Sequence, residues 1–500
     1  MNRPAGAHVV WLLLLACATS PRPVAALEGE AAVVFAAAEG VTTADTEIGE
    51  FDDAPQVLRK LLGGSNRLSL VLEEQEGEVR PLVLSMSQAV AATLLNNREA
   101  QAQEPRMDSA RWDRIAAWAQ LLPTATASAG GGQERSEPAA INDAFGKRVA
   151  DSRHFRRDRA LTVTQPVVDL TMIAGIRAAQ RRESLTALQA RDTKERLAYD
   201  TVSAYLDLLQ ARLTVELAER YISSLADLRA RMQSRVDAGG ATAADLDRIV
   251  ARAGNADAAR IEALGLYDAS LAEFGRLTGV EPTDLVIPDV VVPEVPGSPE
   301  VALQKAIAGN PAYGAALQQV KLAEADRERA LAGALPRLSL VYSDTWSYNA
   351  GGSALGNPVD GVYPTQRSRT AAVVVQWALG AGAVTGAMSA GAKAREQRLR
   401  AEDQKYRLEQ ALLTGYATVN AANKRYKVLR EGIQSNDNVV RSFEEQFAEG
   451  SRSVFELLDA YEQLYSVRVN FIQVAFTEAK AGYQIHRQLG DVIPTLSGGE

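Results

Sequence analysis

The chain has 500 residues, 46% hydrophobic, 23% charged and only 6% aromatic, with 54 Lys+Arg against 62 Asp+Glu for a formal charge of -8. A single packed core rarely grows past ~300 residues, so several domains or one elongated body is expected. The acidic balance excludes a general nucleic-acid binder, which needs clustered cations. One cysteine, Cys17, excludes a disulfide framework, and three scattered histidines (His8, His154, His486) offer no His-based metal or catalytic site. No nucleophile–base pair is visible, so no enzymatic activity and no cofactor is expected.

Residues 1–26 read as an export signal. Arg3 precedes the apolar run Val9 to Ala16, and Val24-Ala25-Ala26 supplies small residues for cleavage. Leu14-Leu15-Ala16-Cys17 has a lipobox-like order that would lipidate Cys17, but the second Leu fits poorly and ordinary cleavage is favoured. Residues 27–80 form an N-terminal extension, acidic at first, without an assigned role. Nothing downstream holds ~18 uninterrupted apolar residues, so no transmembrane helix is expected.

The remainder is a tandem duplication. Gln165 and Gln376 lie 211 positions apart, and the same offset pairs Tyr205 with Tyr416, Gly239 with Gly450, Asp245 with Glu456 and Gly279 with Gly490. Upstream the offset is 213, pairing Asn97 with Asn310 and Leu122-Pro123 with Leu335-Pro336. The copies span 81–280 and 300–490, joined by a proline-rich linker at 281–299 and followed by a tail at 491–500. Each copy predicts the same order. A first helix runs from Ser87 to Gln120 or from Pro299 to Gly333. A strand follows, Thr124 to Ala129 or Arg337 to Trp346, then a polar loop, Gly130 to Asp158 or Ser347 to Ser368. In the second strands, Leu161, Val163 and Gln165 alternate with Thr162 and Thr164, and Val373, Val375, Trp377 and Leu379 make one apolar face. Arg153 to Arg159 is a basic cluster read as a solvated loop, with contact to lipopolysaccharide phosphates as the sharper alternative.

Two proline-free stretches of roughly 66 residues, ~100 Å each as continuous helices, carry coiled-coil seams: Leu206, Leu209, Leu213, Leu217 and Leu408, Leu412, Tyr416, Val419. They stop at Gly239-Gly240 and at Gly450. Thr242-Ala-Ala-Asp245 and Ser453-Val-Phe-Glu456 are capping-box patterns that restart a helix at once, giving two tight hairpin tips. Four strands cannot close a barrel and an open edge is not tolerated in lipid, so strands that span a membrane would force oligomerisation. A periplasmic coiled-coil scaffold or adaptor without a channel is the competing reading.

The paired Leu-Pro starts, Gln165-Pro166-Val-Val-Asp169, Tyr205, and the tips Gly239 to Leu246 and Gly450 to Asp459 resemble the TolC family of outer-membrane efflux channels over residues 82–490. The resemblance implies a mainly α fold with a membrane β-barrel portion. It also implies a homotrimer whose subunits each give four strands to a twelve-stranded barrel in outer-membrane lipid, above a periplasmic α-barrel. Implied partners are a periplasmic adaptor and an inner-membrane RND, ABC or MFS transporter, in tripartite efflux or type I secretion. Glu456 and Asp459, on one helix face, fall where the family has a pore-constricting acidic pair. Arg452 matches a gating arginine and Asp245 its acidic partner. Phe447 replaces a frequent tyrosine of that network, and Ala241 stands in copy one where Arg452 stands in copy two, so one hairpin per subunit is expected to move.

Overall fold

The structure, a computed structural model, describes residues 83–136, 152–282, 284–287, 292–348, 365–378 and 380–497. The export signal with its lipobox alternative, the extension 27–80 and Leu379 lie outside the described residues. In chain order the elements are β1 (Val83–Leu84), α1 (Met86–Asn96), α2 (Arg98–Gln101), α3 (Gln103–Ala119), β2 (Thr124–Ser136), β3 (Ser152–Val168), α4 (Leu170–Asp237) and α5 (Ala243–Thr278). Then come β4 (Asp284–Leu285), α6 (Pro299–Gly309), α7 (Pro311–Ala332), β5 (Arg337–Tyr348), β6 (Gln366–Gln376), α8 (Ala381–Ala448), α9 (Val454–Leu489) and α10 (Val492–Ser497). No described helix is long and apolar enough to cross a membrane.

The two long helices, α4 and α8, have 68 residues each, about 100 Å at 1.5 Å per residue. Asp169 caps α4, its carboxylate accepting from the amides of Thr171 at 2.8 Å and Met172 at 3.3 Å. Both expected seams are buried. That of α4 packs with Phe274 of α5 and with Phe471 and Phe476 of α9, and that of α8 with Ala302, Ala306 and Ile485. The first helices differ from expectation. Each is broken at an asparagine, Asn97 or Asn310, whose extended backbone ends one helix while its side chain caps the next. At Asn310 the cause is Pro311, which disfavours helical geometry in the residue before it. The linker also holds more structure than expected: β4 pairs parallel with β1. The buried Tyr205 hydroxyl donates to the carbonyls of Leu84 and Val286.

The helices pack in the same cyclic order at two levels. α7 lies between α8 of its own copy and α4 of the other, whereas its counterpart α3 packs on α4 alone. Trp112, Ile115 and Trp118 of α3 are exposed, as are Leu399, Tyr406 and Leu413 of α8. Likewise α9 packs on both α8 and α4, whereas α5 packs mainly on α4 and exposes Ile261 and Leu266.

One antiparallel sheet in the order β2-β3-β5-β6 holds the four long strands. They are 13, 17, 12 and 11 residues, longer than the sequence suggested. β2 runs on through the triglycine to Ser136, and β3 starts at Ser152, so the expected loop 130–158 is strand at both ends and Arg153 to Arg159 lies in β3. Register sorts the faces. Leu161, Val163, Leu338, Leu340, Tyr342, Val373 and Val375 share one face, and Thr162, Thr164, Ser343, Thr345, Ser368 and Thr370 share the other. On the apolar face Val373 is 68% and Val375 65% exposed, and on the other Ser368 and Thr370 are exposed as well.

Candidate functional site

The hairpin tips are built from local rules. At the end of α4, Gly239 takes φ 73° and its amide bonds the Val236 carbonyl at 2.9 Å, while the Gly240 amide bonds Arg235 at 2.7 Å. At the end of α8, Gly450 takes φ 81°, its amide bonds Phe447 at 3.1 Å, and that of Ser451 bonds Gln446 at 2.9 Å. Both are Schellman closures. Gly239 and Gly450 need their left-handed backbone; Gly240 does not, and its counterpart is Ser451. Thr242 and Ser453 then cap α5 and α9 in reciprocal capping boxes with Asp245 and Glu456.

Arg452 lies in the second turn and stays within its own hairpin. Its Nε donates to Gln446 at 3.0 Å, its Nη1 to Glu456 at 2.7 Å, and its guanidinium sits 4.1 Å from the centre of the Phe443 ring. Within one chain it is not brought to Asp245, whose carboxylate accepts from the Thr242 hydroxyl at 2.7 Å and lies 3.8 Å from Arg248. Glu456 has both oxygens engaged: Oε1 by Arg452, Oε2 by the Ser453 hydroxyl at 2.8 Å. The Ser453 hydroxyl first, then Arg452, hold its pKa below the usual glutamate value. Asp459, three residues on, accepts from Arg252 of α5 at 3.3 Å. Among the described residues no cluster of three or more His, Cys, Asp or Glu could hold a metal ion.

Residues 302–490 match the family described as outer membrane efflux protein. The curated relative BepC, an outer membrane efflux protein of Brucella suis biovar 1 (strain 1330), is 22% identical over 302 residues. That match covers 60% of this chain and 64% of BepC, so the chain spans just under two thirds of this relative's length. The second copy of the duplication is thus similar in sequence to outer membrane efflux proteins. The fold of the chain is shared with solved membrane proteins. A membrane protein from Pseudomonas aeruginosa superposes with a TM-score of 0.70 at 19% identity, over 85% of this chain and 97% of that one. The Campylobacter jejuni CmeC outer membrane channel does so with 0.67 at 14% identity, over 85% and 94%. The fold expected from the sequence, long paired helices carrying a four-stranded sheet, is thereby shown to be that of these solved proteins.

Sequence reasoning missed the residues that join the two hairpins. Arg235, on the last turn of α4, donates to the Phe447 and Ala448 carbonyls at 2.8 and 2.9 Å, and its guanidinium lies 4.4 Å from the Phe447 ring centre. It caps the C-terminus of α8, whose last carbonyls carry the negative end of the helix dipole. Arg252 binds Glu462 as well as Asp459, tying α5 to α9. Phe447 is 4% exposed and sits in an apolar cluster with Met232, Ile249, Val454 and Leu457, drawn from all four hairpin helices. A signal existed: under the 211 offset Arg235 aligns with Gln446, Arg252 with Gln463 and Arg452 with Ala241, so every cation of the tip stands where the copies differ.

Proposed function

We propose that three copies of this chain close head to tail into an outer-membrane exit channel, passing substrate from an inner-membrane pump through a periplasmic α-barrel. One observation carries the reading: the same two flanks are unsatisfied at every level of the chain. At the membrane level the open edges are β2 and β6, which run antiparallel and can therefore pair with each other between subunits. In the helices, α3 and α5 expose apolar residues on one flank and α8 on the other, while the chain itself shows how a first helix or hairpin fills that gap. A repeated heterologous contact closes a ring. Four strands per chain and three chains give twelve strands, apolar face to lipid and Thr/Ser face to the lumen.

Transport through the channel is driven by partners. A periplasmic adaptor and an RND, ABC or MFS transporter fit this role, in efflux or type I secretion. Glu456 and Asp459 form the constriction, with Arg452, Asp245 and Phe447 in the gate and Gly239, Gly240 and Gly450 in its turns. In the resting tip the acids are compensated by Arg452 and Arg252, so cation selectivity appears when those arginines swing away. Arg452 also ties the closed entrance to Asp245 of a neighbouring hairpin, and breaking that link is the opening step.

The test is carbonate-washed outer membrane run unboiled on a gel. A trimer band that conducts in planar bilayers supports the channel; a soluble periplasmic monomer would leave the scaffold reading in its place. In the same recordings, Glu456→Ala with Asp459→Ala should abolish cation preference in the open state, and unchanged selectivity removes the ring.

A further inference from the structure

The lipid-facing wall of the sheet does not stay apolar to its outer end. On β6 and the residue that follows it, the outward-parity residues run Trp377, Val375, Val373, Ala371, about 20 Å of extended chain. They are followed on the same face by Arg369 and Arg367. On β3 the outward run Val163, Leu161 is likewise followed by Arg159 and Arg157. The register sets Arg159 opposite Trp346 and Trp346 opposite Arg367, with Arg157 level with Tyr348 and Arg369 with Asp344, so the four arginines fall on three successive outward levels of β3 and β6, on either side of β5. The contacts of the arginines with neighbouring rings agree with this facing. Arg367 lies 4.4 Å over the Trp346 ring, and Arg157 5.5 Å over that of Phe155.

One carboxylate organises the group. Asp344, 6% exposed, accepts from Arg367 at both oxygens, 3.0 and 2.7 Å, and from Arg369 at 3.2 Å. Among the described residues no carboxylate pairs with Arg157 or Arg159. Four arginines against one aspartate leave a charge of about +3 per chain. A guanidinium has five N–H donors, and Asp344 occupies two of Arg367 and one of Arg369, so donors in fixed orientation remain. A charge cluster this close to an apolar band is costly unless anions meet it at headgroup level.

We propose that this outward arginine cluster is a binding site for the phosphate groups of the outer-leaflet glycolipid, lipid A, with Asp344 as the residue that positions the two β6 arginines. The proposal rests on the lipid-facing reading of this sheet face given above. Aromatic Trp346 beside the guanidiniums supplies the half-apolar surface that suits the start of the acyl region. The polar face has its own arginine, Arg156, but this is consumed locally by Glu134 and Asp158. The outward face therefore concentrates free cationic donors where lipid phosphates lie.

The full-length trimer, delipidated in detergent, is titrated with diphosphoryl lipid A and, separately, with its dephosphorylated form, with bound copies counted by native mass spectrometry. Diphosphoryl lipid A should bind at least tenfold more tightly than the dephosphorylated form. Arg157→Gln with Arg159→Gln removes no ion pair with a described carboxylate and should keep the heat-sensitive trimer band while losing most of that preference. Asp344→Asn should weaken it by a smaller factor. Equal binding of the two lipids, or an unchanged preference in the double variant, overturns the proposal while the trimer band leaves the channel reading standing. A wild-type protein that gives no trimer overturns the channel reading and this site with it.

Discussion

The two hairpin tips of one chain share a backbone and differ in their charges. Every helix boundary of α4 and α5 recurs 211 residues later in α8 and α9, as do the left-handed glycines and the capping boxes. What differs is side chains. The first tip sends Arg235 and Arg252 outward to the second, while the second keeps Arg452 for its own Glu456 and buries Phe447 where the first has Val236. The duplication thus preserved the frame and divided the roles. The first hairpin clamps, and the second is clamped and holds the spare cation.

The largest test of that division is Phe447→Ala. Emptying a fully packed aromatic site costs about 3–5 kcal/mol, whereas Val236→Ala at the half-buried counterpart costs about 1 kcal/mol. Hydrogen exchange of the tip amides reads both. Equal losses of protection would mean the two tips contribute alike to the cluster and the asymmetry is cosmetic. Next come the turns. Gly239→Ala and Gly450→Ala each force a Cβ into the left-handed region at about 1–2 kcal/mol. Gly240→Ala should be near neutral, since its added Cβ would sit 3.5 Å from the Arg235 carbonyl, an ordinary contact.

Those elements ruled by local chemistry were legible in the sequence: the helix stops at Gly239 and Gly450, the restarts at Thr242 and Ser453, and the buried seams. Elements set by partners were not. The outer half of β2, with its triglycine, Gln133 and Glu134, has no apolar alternation of its own and is strand because β3 lies beside it. The breaks at Asn97 and Asn310 were visible only in part, since Pro311 marks one and nothing comparable follows Asn97 directly. At the tip, Arg452 and Asp245 were legible as polar tip residues, but their partners were not. Arg235 reaches a helix end more than 200 positions away, and no spacing rule encodes that.

A smaller effect separates the two cations. Arg235→Gln frees two carbonyls of α8 and uncovers the Phe447 ring, about 1–2 kcal/mol. Arg452→Gln removes a pair with an exposed carboxylate within one hairpin, a smaller loss. Single-channel conductance should therefore rise in both variants and more in Arg235→Gln. A larger rise in Arg452→Gln would place the lock in the second tip rather than between the two.

The smallest expected effect is a pH dependence confined to the second tip. The capping box of α9 uses Glu456 as an anion that accepts from the Ser453 amide and hydroxyl and from Arg452, and these contacts hold its pKa below the ordinary glutamate value. A carboxyl with a folded pKa below its unfolded one stabilises fully above the unfolded value, and that contribution is lost as pH falls through the folded value. Acidifying from pH 7 to 5 should consequently leave the tip unchanged, and loosening should start only below about pH 4.5. Protonation there releases Arg452 from its carboxylate while the contacts from Arg235 to backbone carbonyls persist, because carbonyls do not titrate in this range. Hydrogen exchange at the first turn of α9 should accordingly rise with acid in the wild type and be flat in Glu456→Gln. A first turn that loosens between pH 7 and 5, or a Glu456→Gln variant that still titrates, would assign the acid sensitivity to another group and leave the second tip without its own switch.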